Sequence, residues 1–263
     1  MTTLKRITAA TLTRAKQAEE KMVWLTAYDA ASAQIAEAAG AEVLLVGDSL
    51  GMVSLGFDST LPVTLDHMIH HTAAVVRGRS KAWVVCDLPF GSYQQNPEQA
   101  FLSSVRVLQE SACDAVKIEG GEHMANTISF LSERGIAVVA HIGLTPQSVK
   151  KFGSYGKRAK DDAGRAQLIQ DAKAVAAAGA VCIVLENIPA DLGTEITNML
   201  DTPTVGIGAG NHCDAQVLVW NDLLGISASN PPFAPAYANV RAVMSDAISR
   251  WAADVKAGQF PKA

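Results

Sequence analysis

Apolar residues fall along the chain in short, nearly unbroken runs, separated by stretches of helical period. The runs are Val23–Tyr28, Val43–Gly47, Trp83–Cys86, Ala115–Ile118, Ala137–Ala140, Cys182–Leu185 and Thr204–Ile207. Runs of this length and continuity are what strands buried on both faces require. Between them lie helix signals. Asn96-Pro97-Glu98 supplies a cap, a first-turn proline and an acidic residue, after which Phe101, Val105 and Leu108 share one face. Thr64 caps a helix that runs to Arg77 and stops at Gly78, Thr145-Pro146 opens another, and Ala163–Ala178 is a third, ended by Gly179. A helix at about 8–20 precedes the first strand, and a helical tail at about 236–257 closes the chain. An eighth strand falls within Val217–Ile226, either as a strand or as a helix followed by a short strand. Strands alternating with helices over this length predict an α/β fold, a (β/α)8 barrel, with an open doubly wound sheet as the rival. No linker or repeat divides the chain, so residues 1–263 read as a single domain.

Polar residues end these runs: Asp29, Asp48-Ser49, Asp87, Glu119, His141 and Glu186. Lys117 lies two residues before Glu119 and so on the same face of its strand. In either fold the carboxyl ends of the strands share one rim, where ligands bind. A single Asp after a strand is more simply a helix cap, and Asp29, followed by Ala-Ala-Ser, fits that description. A ring of carboxylates is different, because gathering them costs repulsion and desolvation that a cation must offset. Lys117 and a divalent metal are the candidates. Carboxylates without Cys partners, and with only His141 nearby, favour a hard cation such as Mg²⁺ over zinc. Asp48 and Asp87 form the best pair for it, with Glu119 in direct contact or one layer behind. Glu186, at the end of an apolar strand, is the candidate general base, unless it merely pairs with Lys117 or His141.

Weaker patterns are set aside for stated reasons. Gly206-Ile-Gly-Ala-Gly210 lacks a full dinucleotide fingerprint and reads as a barrel loop that approaches ligand or neighbouring backbone closely. His67, His70 and His71 lie on a helix away from the strand ends. Lys150–Ala163, with Gly, Ser, Tyr and mixed charge, reads as a mobile loop above the rim, a candidate lid.

Composition narrows the classes. Only 18% of the 263 residues are charged, below the usual value of about 25%, which points to surface hidden between subunits. A net charge of −4 without a basic run argues against nucleic acid. The longest uncharged stretch, Leu223–Val240, carries Pro231, Pro232 and Pro235, so no membrane segment is expected. Met1–Met22 lacks the apolar core of a secretory signal, and Cys86, Cys113, Cys182 and Cys213 match no zinc or redox spacing. A cytoplasmic protein with buried thiols is the expectation.

Together these stretches resemble the ketopantoate hydroxymethyltransferase family. The resemblance is carried by Thr26-Ala-Tyr-Asp29, Val46-Gly-Asp-Ser-Leu-Gly-Met52, Asp58-Ser-Thr-Leu-Pro-Val-Thr64, His71-Thr-Ala-Ala-Val75, Asp87-Leu-Pro-Phe90, Val116-Lys-Ile-Glu-Gly-Gly121, His141-Ile-Gly-Leu-Thr-Pro-Gln147, Glu186 and Gly206–Gly210. It extends from about Leu4 to Phe260. It implies a barrel of the phosphoenolpyruvate/pyruvate type, one Mg²⁺ per subunit and a homodecamer. It also implies transfer of a one-carbon unit from 5,10-methylenetetrahydrofolate to 3-methyl-2-oxobutanoate, giving 2-dehydropantoate for pantothenate synthesis. Carried over position by position, Asp48, Asp87 and Glu119 match metal-site carboxylates. Asp48, Ser49, Asp87, Lys117 and His141 match keto-acid contacts, and Glu186 matches the proton acceptor. Two departures come late: Asn221 stands where the family usually has His, and Pro232 where it usually has Lys. The competing expectation is a related Mg²⁺-dependent 2-keto-acid lyase or mutase, whose barrels typically carry a Cys-containing loop near the metal that this chain lacks. An idle binding subunit is the third, and the intact rim speaks against it.

Overall fold

The computed structural model describes residues 6–261; the first five and last two residues of the domain read from the sequence lie outside them. Eight parallel strands close into a barrel in sequence order. They are β1 Met22–Thr26, β2 Val43–Val46, β3 Trp83–Asp87, β4 Ala115–Glu119, β5 Val138–Gly143, β6 Cys182–Glu186, β7 Thr204–Ile207 and β8 Ala215–Leu218. Around them run α1 Ala9–Gln17, α2 Ala30–Ala38, α3 Leu50–Val53, α4 Leu65–Gly78, α5 Pro97–Ser111, α6 Ala125–Ser132, α7 Val149–Phe152, α8 Asp162–Ala177 and α9 Ala190–Met199. The seven strands read from the apolar runs are all present. The eighth differs: β8 precedes its helix, and the window Val217–Ile226 catches only its end. Its Gln216 is exposed between buried Ala215 and Val217, so β8 alternates where a run buried on both faces would not. The β7–β8 connection, residues 208–214, has no helix. It stays tight because Gly210, at φ +85, lies where a Cβ would fall 2.7 Å from the Ala190 Cβ at the start of α9.

Strand alternation sorts side chains into two sets. Leu44, Val84, Cys86, Val116, Ile118, Ala140 and Ile183, on the outer set, are buried beneath the helices. The inner set begins apolar at the amino ends: Met22, Trp24, Val43, Leu45, Trp83, Val85, Ala115, Val139, Cys182, Val184, Val205, Ala215 and Val217 form one cluster with Leu12 and Ala15 of α1. Trp24 and Trp83 meet edge-to-face at 6.2 Å. Each large aliphatic side chain buried in such a core contributes about 1.5–3 kcal/mol. The helix α1 thus seals the lower barrel, and the ionisable side chains of the inner set gather at the other end.

Caps fix where the surrounding helices start. Asp29 accepts from Ser32 N at 2.7 Å while Ser32 Oγ accepts from Asp29 N at 3.1 Å, a reciprocal cap worth about 1 kcal/mol. Thr64 and Asn96 cap α4 and α5 as their sequences predict. Thr145-Pro146 opens only a 3-10 turn, Pro146–Ser148, followed by α7. All four cysteines are free and buried.

By compactness the chain divides into two units at Val217 and Leu218, the first holding nearly all of the barrel and the second the segment from the last residue of β8 onward. In that segment α10 Trp220–Leu223 is followed by a loop held on Asp222, which accepts from Ser227 Oγ at 2.6 Å, and by Asn230, which donates to the Asp222 and Ala234 carbonyls. Then comes α11 Val240–Lys256, capped by Asn239. Met244, Ile248, Trp251 and Val255 form a stripe along α11 and are all 45% or more exposed. Among the described residues no helix is long and apolar enough to cross a membrane.

Candidate active site

The inner set turns ionisable two residues beyond the apolar layers. On β3 the inward series is Trp83, Val85, Asp87; on β4 it is Ala115, Lys117, Glu119; on β5, Val139, His141; on β6, Cys182, Val184, Glu186. Register brings them side by side, with Asp87 opposite Lys117 and Glu119 opposite His141. Asp48 follows β2 and reaches the same group, its backbone N–H donating to Asp87 Oδ2 at 3.1 Å. Asp48, Asp87, Lys117, Glu119 and His141 are each 6% exposed or less. Only Glu186 keeps a modest opening, its side chain 15% exposed.

Ion pairs tie the cluster together. Lys117 Nζ lies 3.1 Å from Asp87 Oδ1 and 3.2 Å from His141 Nδ1. His141 Nδ1 is 3.5 Å from Glu119 Oε1, and its Nε2 is 3.1 Å from Glu186 Oε2. Ser49 spends no hydroxyl on capping α3; its Oγ is 3.0 Å from Tyr28 Oη. Asp29, by contrast, is exposed and serves α2 as a cap. The residues expected at the rim therefore come together, and the one expected as a cap stands apart.

Burial sets the charge states. Desolvation, with repulsion from Asp87 and Glu119, pushes Asp48 up to about 8, opposed by Lys117 and the Gln147 hydrogen bond. Desolvation also raises Asp87, partly offset by Lys117. For Lys117 burial would favour the neutral amine, but Asp87, Glu119 and Asp48 outweigh it and hold the ammonium. His141 is opposed by burial and by the Lys117 charge, yet bonding to Glu119 and Glu186 pushes it up to about 9. The imidazolium and the Lys117 contact compete for Nδ1, since only a neutral ring accepts there. We favour the imidazolium, because two carboxylates flank the ring.

The site is electrostatically unfinished. Four carboxylates face two cationic side chains, and Asp87 Oδ1 and His141 Nε2 are buried without a well-directed hydrogen bond. Acid oxygens held this way fit a hard divalent cation. Among the described residues no three His, Cys, Asp or Glu side chains are arranged to hold a metal ion unaided. The fit is therefore to a cation such as Mg²⁺ that takes one or two carboxylates and fills its other positions from water and substrate oxygens.

Several residues of the site are not marked by the polar ends of the strands. Tyr93 and Gln147 are buried against the carboxylates. Tyr93 Oη accepts from Glu119 N at 3.0 Å and donates to Gln147 Oε1 at 2.7 Å. Both sit in loops, where no periodicity marks them. The loop after α7 comes close as well: the Tyr155 phenol is raised by partial burial and by the charges of Asp48 and Glu119. That loop is tied to Asn187, the residue after Glu186. Asn187 donates from Nδ2 to Tyr155 O at 3.0 Å and accepts from Arg158 N at 2.9 Å, with its own φ at +47. The three histidines of α4 are occupied elsewhere or apart. His67 Nδ1 accepts from Thr64 N, His71 Nδ1 is 2.7 Å from the Tyr28 carbonyl, and His70 meets His71 edge-to-face.

Known proteins resemble this chain along nearly its whole length. A 3-methyl-2-oxobutanoate hydroxymethyltransferase of Synechocystis sp. is 51% identical over 257 residues, covering 97% of this chain and 98% of its own. One from Streptomyces coelicolor is 51% identical over 258 residues, covering 98% and 88%. Among solved structures, 2,3-dimethylmalate lyase, a PEP mutase/isocitrate lyase superfamily member, aligns with a TM-score of 0.64 at 19% identity, covering 94% of this chain and 88% of that one. That likeness establishes the barrel type. The family model described as ketopantoate hydroxymethyltransferase matches residues 6–263, and the chain belongs to that family.

Proposed function

We propose that the protein transfers the one-carbon unit of 5,10-methylenetetrahydrofolate to C3 of 3-methyl-2-oxobutanoate. The products are 2-dehydropantoate and tetrahydrofolate, with one water consumed to supply the new hydroxyl. The observation that carries this reading is the inward layer in which Glu186, 3.1 Å from His141, belongs to the same charge network as Asp48, Asp87 and Lys117. That layer pairs a partly accessible base with a buried, electropositive-seeking carboxylate site, which is what enolising a 2-keto acid needs.

Asp48 and Asp87 would hold Mg²⁺, with Glu119 as a further carboxylate of the site and the remaining positions going to water and substrate oxygens. Bound there, the ion supplies Lewis acidity that stabilises negative charge developing on the ketone oxygen. Lys117, kept charged by its carboxylate neighbours, offsets the substrate carboxylate, and Ser49 and His141 contact the keto acid. Glu186 takes the C3 proton, and the carbon so freed bonds to the folate methylene carbon. The bonds from the methylene carbon to the two folate nitrogens break, water supplying its hydroxyl, and the nitrogens take up one proton from water and the one removed from C3. His141, whose Nε2 lies 3.1 Å from Glu186 Oε2, orients the carboxylate before transfer and stabilises its charge. The loop carrying Tyr155 lies over the reacting groups and limits water. The exposed α11 stripe is a surface that other subunits would cover, the homodecamer itself resting on the family resemblance, and the buried free thiols favour a reducing, cytoplasmic compartment.

The test is product analysis with Mg²⁺, the keto acid and 5,10-methylenetetrahydrofolate. Equal amounts of 2-dehydropantoate and tetrahydrofolate are expected. Consumption of keto acid without dependence on the folate would instead support a lyase or mutase.

A further inference from the structure

Gln147 makes five hydrogen bonds from a buried position on the 3-10 turn after β5. Its side-chain Nε2 donates to Asp48 Oδ2 and to the Leu88 carbonyl, both at 2.9 Å. Its Oε1 accepts from Tyr93 Oη at 2.7 Å and Gln94 Nε2 at 3.0 Å. Its backbone N–H donates to Glu119 Oε2 at 3.0 Å. The orientation of the amide is forced by its partners. A carbonyl only accepts, so the nitrogen must face Leu88; Tyr93 Oη already accepts from Glu119 N and so turns its own hydrogen to Oε1. Both Nε2 hydrogens are thereby spent, and the one aimed at Asp48 needs an unprotonated oxygen there.

We propose that Gln147 is the positioning residue of the carboxylate site: it occupies Asp48 Oδ2 with its side chain and Glu119 Oε2 with its backbone, which reserves Asp48 Oδ1 for ligands and turns Glu119 Oε1 towards His141. Gln147 touches no reacting atom. It acts through Asp48 and Glu119, and Tyr93 acts through Gln147. Outer partners of this kind hold ligand carboxylates at fixed angles, and their removal costs about 10–100-fold in metal affinity or activity. The proposal rests on the reading of Asp48 as a cation ligand.

The experiment is calorimetric titration of the full chain with Mg²⁺ alone, for wild type, Gln147→Leu, Tyr93→Phe and the double variant, alongside kcat and KM for the keto acid. Gln147→Leu keeps the volume and removes the donors. Mg²⁺ affinity is expected to fall about tenfold or more, with KM for the keto acid rising alongside it. Tyr93→Phe should lose affinity in the same direction but less. The double variant should lose no more than Gln147→Leu, because residues in one network are not additive. Gln147→Leu affinity within twofold of wild type, or additive losses, overturns the proposal. If Gln147→Leu does not fold, Tyr93→Phe decides, and unchanged affinity overturns it. Wild type that binds no Mg²⁺ overturns the cation reading itself, a failure visible before any variant is compared.

Discussion

The two ends of the barrel interior are built from the same strands and differ in a single step of the strand period. Val85 and Asp87 are neighbours on one face of β3, Ala115 and Lys117 on β4, Val139 and His141 on β5, Val184 and Glu186 on β6. Below, the side chains are apolar and α1 closes the end. Above, equally buried positions hold opposed charges. The lower layer lowers the free energy of the fold, whereas the upper layer spends some of it to keep charges out of water. What the contrast teaches is that burial alone does not define a core. The functional layer is the one whose buried groups carry opposed charges; the lower layer also leaves a polar atom unpaired, Trp24 Nε1, but it is neutral.

The comparison can be broken from either side. The largest effect is expected at the top. Glu186→Gln should lower the rate of C3 proton removal by about 10²–10⁴-fold while leaving Mg²⁺ affinity near wild type, measured by solvent exchange and calorimetry. Undiminished exchange would remove Glu186 as the base. At the bottom, Trp83→Ala should cost about 3–5 kcal/mol of stability in denaturant titration, with the rate of folded enzyme at low temperature changed only a few-fold. A large loss of rate at unchanged stability would erase the distinction between the layers.

A smaller effect separates the layers by pH. Asp48 is raised from 3.8 to about 8 and His141 from 6.5 to about 9. A group whose folded value lies above its unfolded one contributes stability that is complete below the unfolded value and is lost as pH rises through the folded one. Metal-free protein should therefore lose stability from about pH 4 to 8 through Asp48, and from 6.5 to 9 through His141. Asp48→Asn, which keeps an acceptor for Gln147, should melt higher than wild type at pH 8.5 in EDTA, with the gap shrinking towards pH 5. A gap that is constant with pH would mean Asp48 ionises freely. The smallest effect is none: Arg77, exposed on α4, should be replaceable by Ala without change in exchange rate, and a large loss would mean the rim is wrongly mapped.

Much of this was legible from residue order alone. Strands buried on both faces announce themselves as apolar runs, and a polar residue closing each run marks the rim. Asp48, Asp87, Lys117, Glu119, His141 and Glu186 were found in this way, and Asp29 was separable because the following Ser32 completes a cap. What escaped notice did so for physical reasons. The strand β8 alternates because its outer face is not fully covered, so it breaks the pattern that found the other seven. Tyr93, Gln147, Tyr155 and Asn187 act from loops, where contacts depend on the closed barrel and no period records them. Gln147 lay inside a recognised motif, yet only its five partners reveal what it holds.

The central claim is that the upper layer removes a proton from C3 of a 2-keto acid. It is tested most directly by proton NMR of 3-methyl-2-oxobutanoate in D₂O with the protein and Mg²⁺, without folate. The account predicts loss of the C3 proton signal that requires Mg²⁺ and is suppressed in Glu186→Gln. A C3 signal that persists with wild type, with Mg²⁺ and with tetrahydrofolate added, would contradict it.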